Sequence, residues 1–391
     1  MRFAFSTLQR VDRDLGPLLC AALEPLRLAR RRRREPEEVR SVLAVKFWGL
    51  GSLTLLGPSL RRLRERHPRA RIDLLTLEGN AAFARRLPIL REILTLDLGG
   101  GPLRIARDLL GLVLELRRRR YDLLVDFEFF ARFSAALAFL SGARWTAGFW
   151  APNVYRGRFH DVRIPFNRYR HVAQNFRALA GGEDGGPVGP QDLLRPRIGR
   201  EARARVARLL ARRGLNGDRP LVVVNPNAGD LALERRWPAD HFVALADRLA
   251  RAATVVWIGA PGERAYVESL RSRLREPEST HDFAGILSVE ELLVVLERAD
   301  LLVTNDSGPL HLASPLGTPT IAMFGPETPV LYAPLNPRAR VFYRPPPCSP
   351  CINVHENKML SCTFSQAICL SEIRPAEVAE AAERSLAGVA S

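Results

Sequence analysis

From residue 42 onward, short apolar runs alternate with longer segments in which apolar residues recur every three or four positions. The short runs predict buried strands, and the longer periodic segments predict helices. In the first half we predict strands at 42–47, 72–77, 93–98, 123–127 and 146–149, and helices at 53–66, 103–119 and 133–140. Strands that alternate with helices are typical of a parallel sheet with helices on its faces.

The same alternation returns after residues 181–190, a stretch with five glycines and two prolines and no apolar periodicity. Beyond it we predict strands at 221–225, 254–258, 301–304 and 320–324, and helices at 241–251, 263–274 and 289–298. The pattern therefore predicts an α/β protein with two Rossmann-like domains, residues 41–180 and 197–374, joined by a linker at 181–196.

Composition fits two domains with substantial cores, since 47% of the 391 residues are hydrophobic and 26% are charged. The formal net charge is +16, yet lysine occurs only at positions 46 and 358. A basic surface attracts phosphate-rich partners. No zinc-finger, RNA-recognition or homeodomain pattern accompanies the charge, so we expect no nucleic-acid partner. Because no apolar run is long enough to span a bilayer and the start has no signal-peptide pattern, we expect a cytoplasmic protein.

The first 40 residues form a basic extension, with ten arginines against six acidic residues. An apolar segment, residues 15–23, precedes the arginine run at 30–34. This combination is typical of peripheral binding to an anionic membrane surface. A solvated extension is the alternative interpretation.

Residues 301–313 hold the most specific pattern, an apolar strand that runs through a polar turn into a helix. Ser307 or Asp306 is predicted to cap the helix, Gly308 lets the backbone approach a ligand, and the amides of the first turn can bind an anion. A second strand and glycine-bearing loop follow at 319–329. Two such loops at the carboxyl edge of one sheet favour a ligand site over an ordinary capped connection.

The segments Asp-Ser-Gly-Pro-Leu-His-Leu-Ala (306–313) and Phe-Gly-Pro-Glu-Thr-Pro (324–329) resemble the signature of glycosyltransferase family 9, the bacterial heptosyltransferases of lipopolysaccharide core synthesis. The resemblance covers about residues 41–380 and implies the GT-B fold, two Rossmann-like domains facing each other across a cleft. It implies that the last helix, residues 375–391, packs back on the first domain.

The activity implied is inverting transfer of a sugar, heptose from ADP-heptose, to a lipopolysaccharide-core or other lipid-linked saccharide. The enzyme would act as a peripheral protein on the inner face of the cytoplasmic membrane. No Asp-x-Asp pair follows a strand, so we expect transfer without a metal cofactor. The partners implied are a nucleoside-diphosphate sugar, the lipid-linked acceptor and the anionic membrane surface.

The resemblance places the donor site at nine positions: Asn227, Ala228, Arg235, Leu287, Asp306, Ser307, Gly308, Pro309 and His311. Arg235 takes the place of a phosphate-binding lysine, and a guanidinium suits a diphosphate because it binds two oxygens at once. The alternatives to a donor site are purely structural: two surface arginines beside a packed tryptophan, and an ordinary core histidine at 311.

The acceptor side departs from the family, which carries Gly-Asp after the first strand with that aspartate as general base. Here Ser52 follows Gly51, and a serine is no carboxylate base. We predict that Glu128, at the end of the 123–127 strand, is the base, with Glu78 in reserve. Lys46 and Gly51 match the family and are expected to line the acceptor side.

Four cysteines cluster near the end of the chain, at Cys348, Cys351, Cys362 and Cys369. A leading Cys-x-x-Cys with two further thiols fits structural zinc. The second pair lacks that spacing, which favours reduced structural thiols.

Two rival functions remain open. A GT-B sugar-nucleotide 2-epimerase would share the fold and need no acceptor. A catalytically silent nucleotide-sugar binding protein would explain Ser52 in place of the aspartate.

Overall fold

Two six-stranded parallel sheets form the framework of the chain. The computed structural model describes residues 5–28, 34–181, 186–215, 217–229, 232–352 and 362–388. These residues divide into two compact units, one up to Val188 and one from Gly189, a boundary inside the predicted linker. Most of the arginine run at 30–34 and the breaker residues 182–185 lie outside the described residues.

The first sheet consists of β1 (Ser41–Val45), β2 (Arg71–Leu77), β3 (Ile93–Leu96), β4 (Leu123–Asp126), β5 (Trp145–Trp150) and β6 (Val162–Pro165). Its strand order is β3-β2-β1-β4-β5-β6, and every pair is parallel. All five residues of β1 are buried, as expected for a central strand covered on both faces.

The helices of this unit are α1 (Phe5–Leu28), α2 (Leu50–Leu55), α3 (Gly57–Arg66), α4 (Glu78–Ala84), α5 (Pro102–Arg119), α6 (Arg132–Leu140) and α7 (Val172–Leu179). Gly49 precedes α2 with a φ of 85°, a left-handed conformation that a residue with a Cβ rarely adopts. This glycine turns the chain from the end of β1 into the first helix after it.

The second sheet consists of β7 (Leu221–Asn225), β8 (Thr254–Trp257), β9 (Thr280–Asp282), β10 (Leu301–Asn305), β11 (Thr320–Phe324) and β12 (Ala339–Tyr343). Its order, β12-β11-β10-β7-β8-β9, repeats the topology of the first sheet, and every pair is again parallel. The two Rossmann-like sheets that the sequence pattern predicts are therefore confirmed.

The helices of the second unit are α8 (Arg200–Arg212), α9 (Ala239–Leu249), α10 (Arg264–Arg271), α11 (Val289–Arg298), α12 (Gly308–Ala313), α13 (Pro329–Tyr332), α14 (Ile368–Ser371) and α15 (Pro375–Ala387). α11 begins with a capping box in which the Ser288 hydroxyl accepts from the Glu291 amide and the Glu291 carboxylate accepts from the Ser288 amide. Both partners stand in the sequence at the spacing that such a box requires.

In each sheet the chain starts at a central strand, builds outward on one side, and then returns to build on the other. The strands that flank this switch point are β1 and β4 in the first sheet, and β7 and β10 in the second. The connections from such neighbouring strands leave toward opposite faces, so a crevice opens at their carboxyl ends. Each unit therefore has one preferred place for a ligand.

α1 is a docked helix of the first unit, so this part of the basic extension is not the solvated segment of the alternative interpretation. The Asp12 carboxylate accepts from the Arg132 and Phe133 amides at 3.1 and 2.8 Å, so α1 caps the N-terminus of α6. Cys20 is fully buried in a small apolar cluster with Phe139. No described helix is long and apolar enough to cross a membrane.

α15 contributes to the core of the second unit, and the expectation that the last helix also packs back on the first domain stays a prediction. Its buried residues Val378 and Ala382 belong to the core of the second unit, together with residues of α9 and the second sheet. Glu383 of α15 also forms an ion pair with Arg248 of α9. The apolar face of α15 is therefore taken by elements of the second unit.

We predict that Asp12→Ala lowers the free energy of unfolding of the first unit by about 1 kcal/mol, because two amides at the start of α6 lose their acceptor. Urea unfolding measures this change. Asp14→Ala is the matched control, since the exposed Asp14 carboxylate binds its neighbour Arg13. Equal effects of the two variants would contradict a capping role for Asp12.

Candidate functional site

Two asparagines tie the switch-point strands of the second sheet together. Asn225 ends β7, and its amide donates to Thr304 Oγ1 at 3.0 Å and to Ser307 Oγ at 2.9 Å. Asn305 ends β10, and its amide donates to the Pro226 carbonyl at 2.9 Å. Both side chains are at least 98% buried. The bonds satisfy backbone and hydroxyl groups that no strand partner reaches.

Asn227 lies in the loop after β7 and is 2% exposed. Its amide donates to Asn225 Oδ1 at 3.2 Å and to the Ile258 carbonyl at 3.1 Å. Asn227 Oδ1 is buried and has no hydrogen-bond partner among the described residues. An acceptor of this kind suits a hydroxyl or amine of a ligand.

Arg235 joins the two loops of the switch point by charge. Its guanidinium donates to the Asp306 carbonyl at 2.9 Å and to the Ala228 carbonyl at 2.6 Å, and lies 3.3 Å from Asp306 Oδ2. The side chain is 13% exposed, so it is not an ordinary surface arginine. Arg235 Nε has no hydrogen-bond partner among the described residues. Arg235, Ala228 and Asp306 therefore lie together as predicted.

Ser307, Gly308 and Pro309 lead from β10 into α12, which spans only six residues. The prediction that Ser307 or Asp306 caps this helix is wrong, since no side chain of the described residues is seen to accept from its first amides. Ser307 Oγ is instead held by Asn225 and Thr304. Asn225 and Thr304 compete with the helix for this hydroxyl. Because the Ser307 hydroxyl is oriented toward β7, it cannot also accept from the amides in the first turn of α12.

His311 is 4% exposed within α12. Its Nε2 lies 3.9 Å from Asp306 Oδ1, and its ring meets the Tyr332 ring edge-on. Leu287 is half-buried in the loop between β9 and α11. That loop follows β9, the outer strand of the sheet, and the donor-side role of Leu287 stays a prediction.

The switch point of the first sheet carries a buried ion pair. Glu128 is 2% exposed, and its Oε1 accepts from Lys46 Nζ at 2.8 Å and from the Trp48 amide at 3.1 Å. The Phe47 amide donates to the same oxygen. Lys46 is 1% exposed, so its ammonium is held inside the unit; that Lys46 and Gly51 line the acceptor side stays a prediction. The Lys46–Glu128 pair fixes the turn after β1.

A second buried network holds the loop that carries Glu128. Asp126 Oδ1 accepts from the Glu128 amide at 3.0 Å, and Asp126 Oδ2 accepts from Arg156 at 2.8 Å and from Ser134 Oγ at 2.9 Å. Phe130 in this loop has a φ of 52°, a strained conformation for a residue with a Cβ. Arg156 also donates to the next carbonyl, that of Ala131.

Charge and burial shift the pKa values of this network. Burial alone would raise the pKa of Asp126, but the Arg156 charge and the His160 hydrogen bond lower it below its ordinary value. Burial lowers the pKa of His160, and the Asp126 carboxylate offsets only part of that change. The network is therefore an ionised aspartate with a neutral histidine near pH 7.

Ser52 and Gly51 lie in α2, the short helix after the Lys46–Glu128 turn. Gly51 is buried and Ser52 is half-buried. Glu78 begins α4 at the end of β2 and is exposed. Of the two predicted carboxylates, only Glu128 lies at the switch point.

Two of the four clustered cysteines contact the loop after β11. The amide of Cys351 donates to the Pro326 carbonyl at 2.9 Å, and Cys369 Sγ lies against Gly325. Burial raises the pKa of Cys369 to about 11, and the nearby thiols of Cys351, Cys348 and Cys362 add to the shift. Burial raises the pKa of Cys351 as well. No three described His, Cys, Asp or Glu side chains are arranged to hold a metal ion.

Several residues of both switch points were missed by sequence reasoning. They are Asn225, Thr304 and Asn305 in the second unit, and Asp126, Ser134, Arg156 and His160 in the first. One signal was available, since the apolar runs of β7 and β10 both end in asparagine. The first-unit network gave no such signal, because Arg156 and His160 come from an irregular loop 30 residues beyond Asp126.

Two Rossmann-like sheets with a buried polar cluster at each switch point define an open α/β protein of the class that binds ligands at the carboxyl ends of its strands. The family model of glycosyltransferase family 9 (heptosyltransferase) matches residues 110–361. The chain belongs to glycosyltransferase family 9, and it is a glycosyltransferase of the GT-B class.

Relatives of known name support this assignment. Lipopolysaccharide heptosyltransferase 2 of Salmonella typhimurium is 27% identical over 308 residues, which cover 75% of this chain and 84% of the relative. Lipopolysaccharide heptosyltransferase 2 of Escherichia coli strain K12 is equally similar.

Solved structures show the same fold. The family 9 glycosyl transferase of Veillonella parvula has a TM-score of 0.73 and 23% identity, and the match covers 91% of this chain and 99% of that one. ADP-heptose lps heptosyltransferase II of Escherichia coli has a TM-score of 0.70 and 21% identity, covering 90% of this chain and 100% of that one. The predicted family and fold class are confirmed.

We predict that the cysteines are reduced thiols, because the raised pKa values of Cys351 and Cys369 keep these two thiols protonated and therefore poor metal ligands near pH 7. Metal analysis of the purified protein should find less than about a tenth of an equivalent of zinc or iron. About one equivalent of zinc, lost in a Cys351→Ser variant, would show instead that the four thiols form a structural zinc site.

Proposed function

We propose that this enzyme transfers heptose from ADP-heptose to a lipopolysaccharide-core or other lipid-linked saccharide, with inversion and without a metal. The observation that carries the proposal is the buried cluster of Asn227, Arg235 and Asp306 at the switch point of the second sheet. It stands in a chain whose relatives are named lipopolysaccharide heptosyltransferases.

The cluster supports binding of a nucleoside-diphosphate sugar in the second unit. Arg235 Nε is a buried donor and Asn227 Oδ1 a buried acceptor, and neither has a partner among the described residues. A buried polar atom without a partner costs about 1 to 3 kcal/mol, which a ligand recovers when it supplies that partner. A phosphate oxygen suits the arginine, and a sugar or ribose hydroxyl suits the asparagine.

Charge develops on the diphosphate as the bond to the sugar breaks. Arg235 is the cation at this site, and its pairing with Asp306 fixes the guanidinium before the ligand arrives. A donor held in place costs no reorganisation at the moment of reaction. His311 beside Asp306 adds a further polar group for the phosphate or the sugar.

In the proposed reaction an acceptor hydroxyl attacks the anomeric carbon from the face opposite the diphosphate. The new C–O bond forms as the bond to the diphosphate breaks, and ADP leaves with the electron pair. The hydroxyl proton passes to a general base of the first unit. One displacement of this kind inverts the anomeric centre.

Glu128 is the base that we propose. Its three donors all bind Oε1, so Oε2 is the oxygen that would take the proton. The donors fix the orientation of the carboxylate, which a general base requires. Ser52, a half-buried hydroxyl on the next helix, takes no part in this proton transfer.

The acceptor would be presented at the inner face of the cytoplasmic membrane, where the enzyme acts as a peripheral protein. The net charge of +16 favours an anionic surface. Because the acceptor is anchored in lipid, contact with the membrane brings it within reach of the enzyme.

The direct test incubates the enzyme with ADP-heptose, with and without a lipopolysaccharide-core acceptor, in the presence of EDTA. We expect ADP release that depends on the acceptor and that EDTA leaves unchanged, because Arg235 supplies the cation. Formation of a new nucleotide sugar without acceptor would instead show a 2-epimerase. Tight ADP-heptose binding without ADP release would show a catalytically silent binding protein. Ser52 in place of the family aspartate is the reason to test for this outcome.

For the base we predict that Glu128→Gln lowers the turnover number by about 10²- to 10⁴-fold, with the affinity for ADP unchanged. Glu78→Gln, which neutralises the exposed carboxylate at the start of α4, should keep full turnover. Assays of ADP release measure the turnover number, and calorimetric ADP titration measures the affinity for ADP.

Glu128→Gln also leaves the Lys46 charge buried without its counter-ion, which alone could disturb the turn. The neutral pair Lys46→Gln/Glu128→Gln separates the two effects. If Glu128 is the base, the double variant stays inactive although its thermal stability recovers. Turnover restored in the double variant would show that Glu128 acts only as the partner of Lys46.

A further inference from the structure

The loop that carries Glu128 contains a strained residue. This loop, residues 127–131, joins β4 to α6, and Phe130 within it is fully buried with a φ of 52°. A residue with a Cβ stays in the left-handed region only where its surroundings over-determine the backbone. The Glu128 loop therefore needs fixed partners to keep its conformation.

Arg156 supplies partners for the backbone of this loop. Its Nε and Nη2 donate to the carbonyl of Ala131, the residue after Phe130, at 3.0 and 2.8 Å. Its Nη1 donates to the Phe149 carbonyl in β5 at 3.0 Å. Because the guanidinium is planar and presents its donors in a fixed fork, one side chain ties the end of the Glu128 loop to the neighbouring strand.

Asp126 connects the same guanidinium to Glu128. Asp126 Oδ2 accepts from Arg156 Nη2 at 2.8 Å, and Asp126 Oδ1 accepts from the Glu128 amide at 3.0 Å. Ser134 Oγ donates to Asp126 Oδ2 at 2.9 Å and accepts from Arg156 at 3.0 Å. All four side chains are at most 4% exposed. A chain of buried bonds thus runs from Arg156 to the main chain of Glu128.

The carboxylate of Glu128 is held separately from its loop. Its Oε1 accepts from Lys46 and from the amides that follow β1, which leaves Oε2 to take the proton in the proposed reaction. These bonds fix one oxygen, but the direction of Oε2 also depends on where the main chain of Glu128 lies. The groups that hold the main chain therefore influence the direction of the base.

We propose that Arg156 is a positioning residue for sugar transfer. Through Asp126 and the Ala131 carbonyl, it holds the loop so that Glu128 Oε2 keeps the orientation from which it takes the acceptor proton. Arg156 acts through Glu128 and does not itself contact the reacting atoms. The effect is large because a shift of about 1 Å in a reacting group lowers a rate by about 10²-fold. The inference rests on the proposed function, in which Glu128 is the base.

The first test is Arg156→Lys, which keeps a positive charge beside Asp126. One ammonium cannot reproduce the fork of bonds to the Ala131 and Phe149 carbonyls. We expect the kcat of acceptor-dependent ADP release to fall about 10- to 100-fold. The KM for ADP-heptose should not change, because the proposed donor site lies in the second unit.

Ser134→Ala is a milder second variant that keeps the Arg156–Asp126 ion pair. It removes one hydrogen bond to Asp126, so we expect kcat to fall by about three- to tenfold at an unchanged KM for ADP-heptose. This variant decides the question if Arg156→Lys does not fold. Hydrogen exchange measured by mass spectrometry should be faster than in the wild-type chain in the peptide covering 127–131, in both variants.

Tyr121→Phe is the matched control in the same unit. It removes the buried hydrogen bond from the Tyr121 hydroxyl to Asp73 Oδ2 at 2.7 Å. Tyr121 lies just before β4, whereas Glu128 lies just after it. Thermal unfolding should show a loss of stability comparable to that of Ser134→Ala, while kcat and the exchange of residues 127–131 stay at the wild-type values.

Unchanged kcat in Arg156→Lys and Ser134→Ala, together with an inactive Glu128→Gln, would overturn the positioning role and leave the base assigned. An equal loss of kcat in Tyr121→Phe would also overturn it, since general destabilisation would then explain the loss. Full turnover in Glu128→Gln would remove both the base and the role of Arg156. If the wild-type chain releases no ADP, the proposed function fails, and hydrogen exchange alone decides whether Arg156 holds the Glu128 loop.

Discussion

Beyond the paired strands at the switch point of each sheet, the two chain segments diverge, and their backbone groups must find buried partners elsewhere. This constraint shapes both units. In the first, the Glu128 carboxylate accepts from the Phe47 and Trp48 amides and is balanced by Lys46. In the second, the neutral amides of Asn225 and Asn305 join the loops at the ends of β7 and β10. The same strand order is thus stabilised at its switch point by an ion pair in one unit and by asparagine hydrogen bonds in the other.

The ion pair and the asparagines therefore leave different chemical groups at the carboxyl edges of the two sheets. A buried ion pair is costly to break, since loss of one partner costs about 3 to 5 kcal/mol. The carboxylate of the first unit is therefore both structural and a candidate base, and a hydroxyl at Ser52 does not remove carboxylate chemistry from this edge. The asparagines of the second unit are neutral, and the charged pair Arg235 and Asp306 beside them suits a diphosphate ligand.

The sequence allowed most of the central strands and several helices to be predicted, because buried strands read as continuous apolar runs. The strands at 221–225 and 320–324 and the helix at 289–298 have the predicted bounds. The edge strands β6, β9 and β12 were missed, since each mixes polar residues such as Arg163 or His281 into a short run. α1 was missed as a docked helix because two prolines interrupt its pattern. The partners of the candidate site were harder to predict, because Lys46 and Glu128 stand 82 residues apart and Arg235 and Asp306 stand 71 apart.

Hydrogen exchange measured by mass spectrometry with and without ADP tests most directly whether the switch point of the second sheet holds the donor. Our account predicts that ADP slows exchange in peptides covering residues 225–237 and 305–311, and leaves the peptide covering 46–52 unchanged. Unchanged exchange at 225–237 and 305–311 under saturating ADP, or protection confined to 46–52, would contradict it.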